Sequence, residues 1–222
     1  MITSTNIFDV HTHHQCATGA IINTNPQNLN FKPSLLYSIG IHPWWIENSS
    51  EKLISSLSSI VESHGNIVAI GECGIDKLIS APLCLQQDIF AHHISISESL
   101  GLPVIVHCVR AWQELIYLHS KYAPSQPWVI HGFRGKPSVL RMVINEGMYV
   151  SYGEHFNEES LRLTPHDRIL LETDESKLLI SDVAAKAASA LNVSIDDLVN
   201  CTNRNASQIF HLSLERPKNT AL

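Results

Sequence analysis

Histidines and carboxylates stand at the ends of short apolar runs in this chain. His11 and His13 follow Ile7–Val10. Glu72 and Cys73 follow Ile67–Ile70, His107 follows Val104–Val106, and His131 follows Trp128–Ile130. Thr173 and Asp174 follow Ile169–Leu171. Histidine is the commonest metal ligand and the usual acid–base group near neutral pH, and it makes up 13 of the 222 residues. In His11-x-His13 the two side chains lie on one side of an extended chain, so both imidazoles can reach one ion. Histidine nitrogen with carboxylate oxygen suits zinc, manganese or magnesium, and no cysteine cluster invites a softer metal. Four histidines and two carboxylates suffice for two ions sharing a bridging group. Such a pair activates water and steadies the oxygens of an in-line displacement. Each residue alone has a plainer explanation: a turn carboxylate for Glu72, a core histidine for His107 or His131, a helix cap for Asp174. Their shared position after five strand-like runs favours the metal reading.

The elements that must carry these residues alternate. Candidate strands are Ile7–Val10, Leu36–Ile41, Ile67–Ile70, Val104–Val106, Trp128–Ile130, Tyr149–Ser151 and Ile169–Leu171. Between them, Asn48 to His64, Leu85 to Leu100, Ala111 to His119 and Pro137 to Gly147 read as helices. Gly65 and Gly101 stop the first two, and Pro137 starts the last. The final fifty residues read as helical, with Ser181 and Ser194 as N-cap candidates. Alternation at this spacing implies parallel strands joined by helical crossovers, either a closed barrel or an open doubly wound sheet. No glycine-rich phosphate loop follows the first strand, which weakens the nucleotide-binding option. A barrel also gathers the C-terminal ends of its strands at one mouth, where the chemical residues lie.

Composition narrows the classes further. Hydrophobic residues are 44% and charged residues 16%, too apolar for a disordered chain. The longest apolar run, Leu100 to Val109, is broken by Pro103 and His107 and is far short of a membrane span. No Lys or Arg precedes Lys32, so no signal-peptide n-region is seen, and the expectation is a cytoplasmic protein without membrane contact. Five scattered cysteines without a CxxC pair fit a reducing compartment. The net charge of −6 disfavours tight non-specific duplex binding but not a local grip on a few phosphates. No linker or repeat divides the chain, so residues 1–222 are read as a single domain.

The chemical stretches also resemble a known family. Asp9-Val-His11-Thr-His13, Gly40-Ile-His42-Pro43-Trp44, Ala69 to Asp76, Gln86 with Phe90, Leu102 to Arg110, His131 to Gly135, Leu171 to Asp174, and Asn205 with Phe210 run in one order along nearly the whole chain. Together they resemble the TatD family of metal-dependent hydrolases, a branch of the amidohydrolase-like barrels. The resemblance implies a TIM-like barrel, two divalent metal ions, and hydrolysis of phosphoester bonds, commonly in DNA. It implies that His11, His13 and Asp174 hold the first ion. Glu72 would bridge to a second, completed by His107 and His131. Asp174 would also orient or deprotonate the attacking water, with Glu72 as the second catalytic carboxylate. His42 stands at a strand end and could face substrate, while Arg110, Arg134 and Lys136 follow ligand strands and could contact phosphate oxygens.

The chain departs from the family pattern in three places. Between the His-x-His pair and Gly40, only Ala20–Asn23 reads as strand-like, and 25–32 is rich in Asn and Pro. Ala20 comes too soon after His13 for a parallel crossover. The expected fold is therefore a TIM-like (β/α) barrel with a truncated or irregular first βα unit. It would have seven regular parallel strands and one missing, short or antiparallel. A partner subunit or the Asn-rich loop would cover the gap. After Asp174 the family's basic, Pro-containing loop is replaced by Glu175-Ser176-Lys177, and Lys77 stands where an aromatic is usual. His92 and His93 read as partly exposed packing residues, Cys73 and Cys108 as small apolar groups, and Trp44 and Trp45 as cover for the barrel end.

Three functions follow from the sequence. The first is a metal-dependent phosphodiesterase or deoxyribonuclease, with single-stranded DNA or another phosphoester as substrate. The second is an amide or ester hydrolase of deacylase or deformylase type on a smaller substrate, which the same water would serve. The third is a metal-binding protein with little catalysis.

Overall fold

The computed structural model describes residues 2–3, 7–48 and 51–215. β1 (Ile2–Thr3) and β10 (Leu214–Glu215) form a separate two-stranded ladder. The other eight strands are β2 (Asp9–Thr12), β3 (Ala20–Thr24), β4 (Leu36–Ile39), β5 (Ile67–Asp76), β6 (Val104–Val109), β7 (Trp128–Ile130), β8 (Tyr149–Tyr152) and β9 (Ile169–Leu171). All pair in parallel, in chain order. The ring closes through one bridge between Thr12 and Asp174. There the His13 amide donates to the Asp174 carbonyl (3.0 Å), and the Asp174 amide donates to the His11 carbonyl (2.9 Å). This is the TIM-like barrel the sequence implies.

Among the described residues seven α-helices lie between and after the strands: α1 (Glu51–Glu62), α2 (Leu83–Leu100), α3 (Trp112–Tyr122), α4 (Pro137–Asn145), α5 (Glu158–Leu163), α6 (Ile180–Leu191) and α7 (Ile195–Ile209). Outward strand residues such as Ile22, Ile39, Ile70, Val106, Ile130 and Leu171 pack against their apolar faces. In α1, Leu57 and Val61 stand one turn apart and are buried, each contributing about 1.5–3 kcal/mol. α2 stops at Gly101, whose left-handed φ of 68° lets its amide reach the Ser97 carbonyl. Ser194 caps α7 as its sequence suggests, accepting from the Asp197 amide at 3.0 Å. Ser181 does not cap α6. It lies inside the first turn, and Asp182 instead accepts from the Leu179 amide at 3.1 Å. Inside the barrel Val10, Ile21, Ala69, Ile105, Val129 and Leu170 form an apolar layer. Ala206 and Ile209 of α7, with Phe210 just after it, close its lower end. Asn205 ties α7 to β9 by donating to the Ile169 carbonyl (2.9 Å). No helix among the described residues is long and apolar enough to cross a membrane.

The first βα unit is truncated, with no helix in 13–19 or in 25–35. One expectation is corrected: the eighth strand is neither missing nor antiparallel. β3 has five residues and pairs in parallel on both sides. A return alongside a four-residue strand covers about 13 Å, and the seven residues 13–19 reach about 23–25 Å when extended. A plain loop therefore suffices where no helix intervenes. The outer face of β3 is covered from within the chain. Phe31 and Leu35 pack on the Ile22 cluster, and Asn66 Nδ2 donates to the Lys32 and Leu35 carbonyls at 3.1 and 3.0 Å.

His93 corrects a second expectation, since it is fully buried rather than partly exposed. Its Nδ1 donates to the Ile89 carbonyl (2.7 Å), and its Nε2 accepts from the Ile41 amide (3.0 Å), fastening α2 to the end of β4. Burial pushes its pKa down to about 4 from an ordinary 6.5, and the neighbouring His92 adds to the push. The folded state thus resists a proton that the unfolded chain accepts. The contribution is fully present above pH 6.5 and is lost as pH falls from 6.5 towards 4. The loss should be about 2 kcal/mol between pH 7 and pH 5, and about 3 kcal/mol once complete. Urea unfolding at pH 7 and pH 5 checks this against His93→Gln, which can still accept from Ile41. Equal pH dependence in the two proteins would refute it.

Candidate metal centre at the barrel mouth

The inward-facing rows of the barrel turn from apolar to polar within two residues. Ile21 is followed by Asn23, Ile105 by His107, Val129 by His131, and Leu170 by Glu172 and Asp174. Period-two alternation places each pair on the same side. β5 reaches the same result differently. Ile70 pairs with Val104 but Cys73 with Val106, so three residues of β5 oppose two of β6. This bulge shifts the phase by one, and Glu72 rather than Gly71 follows Ala69 into the mouth. Gly71 is required there, because a Cβ would collide with the Ile105 carbonyl oxygen, and its φ is +133°.

Glu72 lies at the centre, 4% exposed. Its Oε1 is 2.7 Å from His131 Nε2, 2.8 Å from His107 Nδ1 and 3.1 Å from His42 Nε2. Its Oε2 is 3.4 Å from both His11 Nε2 and His13 Nε2. Asp174 Oδ1 faces the same two nitrogens at 3.7 and 3.6 Å. The two carboxylate oxygens thus address two separate sets of imidazoles. Ligand atoms of His11, His13 and Glu72, of His11, His131 and Asp174, and of His42, Glu72 and His107 each fall within 4.8 Å of one another. These clusters can hold a metal ion.

Burial alone would push the Glu72 carboxyl up. The charge of His131, with His107, His11 and His13 close against the carboxylate, overrides it and holds the group well below the carboxylate range. Burial likewise opposes charge on His131, but Glu72 and Glu172 raise its pKa well above the usual value. His42 is driven down by burial and stays neutral, with its Nδ1 accepting from the Trp44 amide (3.1 Å). The remaining hydrogen of the neutral ring then sits on Nε2 and points at Glu72.

All six sequence-predicted ligands meet at this mouth, with His42 beside them. Arg110 and Arg134 are exposed and line a cavity of about 510 Å³ together with Trp44, His107, His131 and Asp174. Lys136 precedes α4 and does not line that cavity. Three residues escaped the sequence reading. Asn23 donates from Nδ2 to Glu72 Oε2 (3.2 Å) and accepts the Glu72 amide at Oδ1 (2.9 Å). Asp76 stands 3.4 Å from His107 Nε2, and Glu172 stands 3.6 Å from His131 Nδ1. Glu172 was discoverable, since it precedes Asp174 by two residues on the same inward row.

A parallel barrel with imidazoles and carboxylates gathered at its C-terminal strand ends is the architecture of a metal-dependent barrel hydrolase. The chain matches the family described as TatD related DNase over residues 10–211, and it belongs to that family of metal-dependent hydrolases. It is 28% identical over 207 residues to the uncharacterized metal-dependent hydrolase YcfH of Escherichia coli K12, covering 83% of this chain and 77% of that protein. It is 31% identical over 164 residues to the 3'-5' ssDNA/RNA exonuclease TatD of Cronobacter turicensis, covering 69% of this chain and 62% of that protein. The crystal structure of YjjV, a TatD homologue from Escherichia coli K12, superposes with a TM-score of 0.82 at 18% identity, over 93% of this chain and 98% of that one.

Proposed function

We propose that this chain is a divalent-metal-dependent phosphodiesterase that cleaves nucleic acid, with single-stranded DNA as the first substrate to test. The observation that carries the reading is Glu72, whose two oxygens face two separate sets of imidazoles. The donor set fits divalent ions. His11 Nε2 is fully buried without a hydrogen-bond partner, an orphan that coordination would satisfy. His11, His13 and Asp174 would hold one ion on the Oε2 side, and His107 and His131 a second on the Oε1 side, with Glu72 between. Zinc, manganese and magnesium all suit these nitrogen and oxygen donors. When bound, such ions supply Lewis acidity to water and to phosphoryl oxygens.

The chain's own residues do the rest. Asp174 is the partly exposed carboxylate of the set, with its side chain 28% accessible, so solvent water reaches it. It is placed to orient that water and take its proton. Arg110 and Arg134, on the cavity wall, can hold the non-bridging phosphate oxygens by charge-assisted hydrogen bonds. The relatives named as ssDNA/RNA exonucleases support a nucleic-acid substrate. A second cavity favours another reading. It measures about 240 Å³, and Glu154, Glu172 and Glu175 line it beside Asp174. Carboxylates there suit a small uncharged or cationic group better than a polyanion, as an amide or ester substrate would present.

End-labelled single-stranded DNA, incubated with magnesium, manganese or zinc beside a chelator control, tests the choice. Cleavage that requires added metal is expected. Intact DNA with metal bound, together with turnover of an amide or ester panel, would overturn the nuclease reading. Turnover of neither would leave a metal-binding protein.

A further inference from the structure

The two sides of Glu72 are built unequally. On the Oε1 side both ligand histidines have a buried carboxylate behind them. Asp76 Oδ2 lies 3.4 Å from His107 Nε2. That carboxylate is itself fixed, accepting from Trp44 Nε1 and from the Leu78 amide, both at 2.8 Å. The Asp76 main chain is clamped by Gln86, whose Oε1 accepts the Asp76 amide (2.8 Å) and whose Nε2 donates to its carbonyl (3.0 Å). Glu172, fully buried, accepts the Gly132 amide at Oε1 (2.5 Å), with His131 Nδ1 3.6 Å away. His131 Nδ1 and Glu172 Oε2 are both buried and both lack a hydrogen-bond partner. On the Oε2 side, among the described residues, no carboxylate pairs with the rear nitrogen of either histidine, and the buried Nδ1 of His11 has no hydrogen-bond partner. Every ion pair of His11 and His13 among the described residues is made at Nε2, towards Glu72 and Asp174. That side is also wetter, with His13 and Asp174 side chains 29% and 28% accessible against 11% and 7% for His107 and His131.

We infer that Asp76 and Glu172 are positioning residues for His107 and His131, and that they make the Oε1 side of Glu72 the tighter of two unequal divalent-cation positions, filled first. A carboxylate behind a ligating histidine fixes its tautomer and ring angle and raises its basicity, and losing it costs about 10–100-fold in metal affinity. Three carboxylates serve the Oε1 side (Glu72, Asp76 and Glu172), and two serve the Oε2 side (Glu72 and Asp174). The inference rests on the metal centre but on no assumption about substrate.

The test titrates the full chain, stripped with chelator, with Mn²⁺ alone, following calorimetry and electron paramagnetic resonance. Two steps are expected, separated by at least about tenfold in affinity. One equivalent should give a magnetically uncoupled ion and two equivalents an exchange-coupled pair. Glu172→Gln keeps an acceptor for Gly132, and Asp76→Asn keeps one for Leu78. Each should weaken the first step by about 10–100-fold and spare the second. Asp174→Asn should weaken only the second. A coupled signal from the first addition would overturn the inference. So would an unchanged first step in both carboxylate variants, or its loss in Asp174→Asn. If one variant fails to fold, the remaining two still tell the sides apart, and a coupled first addition to the wild type overturns the inference without any of them. Because no substrate is used, failure here is distinct from failure of the phosphodiesterase reading.

Discussion

Replacing Asp174 by asparagine is expected to slow hydrolysis by about 100- to 10,000-fold, the usual loss when a positioned acid–base group is removed. The fold should not change. Asp174 closes the barrel through its main chain, taking the His13 amide and giving its own to His11, and asparagine preserves both bonds. The residue has a left-handed φ of 54°, a conformation that asparagine adopts readily. Among the described residues its side chain makes only the long approaches to His11 and His13, at 3.7 and 3.6 Å, so little stability rests on it. Single-turnover cleavage and a thermal melt, both on the variant beside wild type, separate the two effects. Activity within tenfold of wild type would remove Asp174 from the role of proton acceptor.

Glu72→Gln should be more damaging, because it acts on the fold as well as on the chemistry. The carboxylate is the only anion touching five imidazoles, those of His11, His13, His42, His107 and His131, among the described residues. Without metal it compensates the charge that it helps to keep on His131. Its neutralisation leaves a buried cation short of its partner, a defect that costs about 3–5 kcal/mol. In a domain of this length each kcal/mol lowers the melting temperature by about 2–4 °C. With the shared ligand gone, neither cation position should survive desalting. A metal-free melt near neutral pH and a metal assay on the desalted variant check both. A variant that melts like wild type and retains its metal would show that Glu72 is not the hub of the centre.

The candidate ligands were legible in the sequence for a local reason. A short apolar run ending in His, Glu or Asp marks the C-terminal end of a buried strand, and a barrel brings such ends together whatever their separation along the chain. The strand ends bearing His11, His107, His131 and Asp174 could therefore be located one at a time, and their shared position marked them together. What could not be read depends on pairing. The parallel placement of Ala20–Thr24 is decided by the reach of 13–19 and by partners on both sides, not by its own pattern. The burial of His93 follows from its position facing Ile41, fifty-two residues away in sequence. Asp76 and Glu172 look like a turn carboxylate and a strand-end carboxylate until His107 and His131 are seen beside them.

The bulge in β5 makes strand register a determinant of the chemistry. Elsewhere the barrel tolerates editing: the segments around β3 have lost their helices, and the imidazoles still converge. Between Ala69 and Cys73 there is no such slack. Strict alternation through these same residues, without the bulge, would put Gly71 in the mouth and turn the Glu72 carboxylate away, leaving the imidazoles gathered around a glycine. A family member with every ligand conserved at this spacing but without the bulge would carry the parts of the centre without its hub.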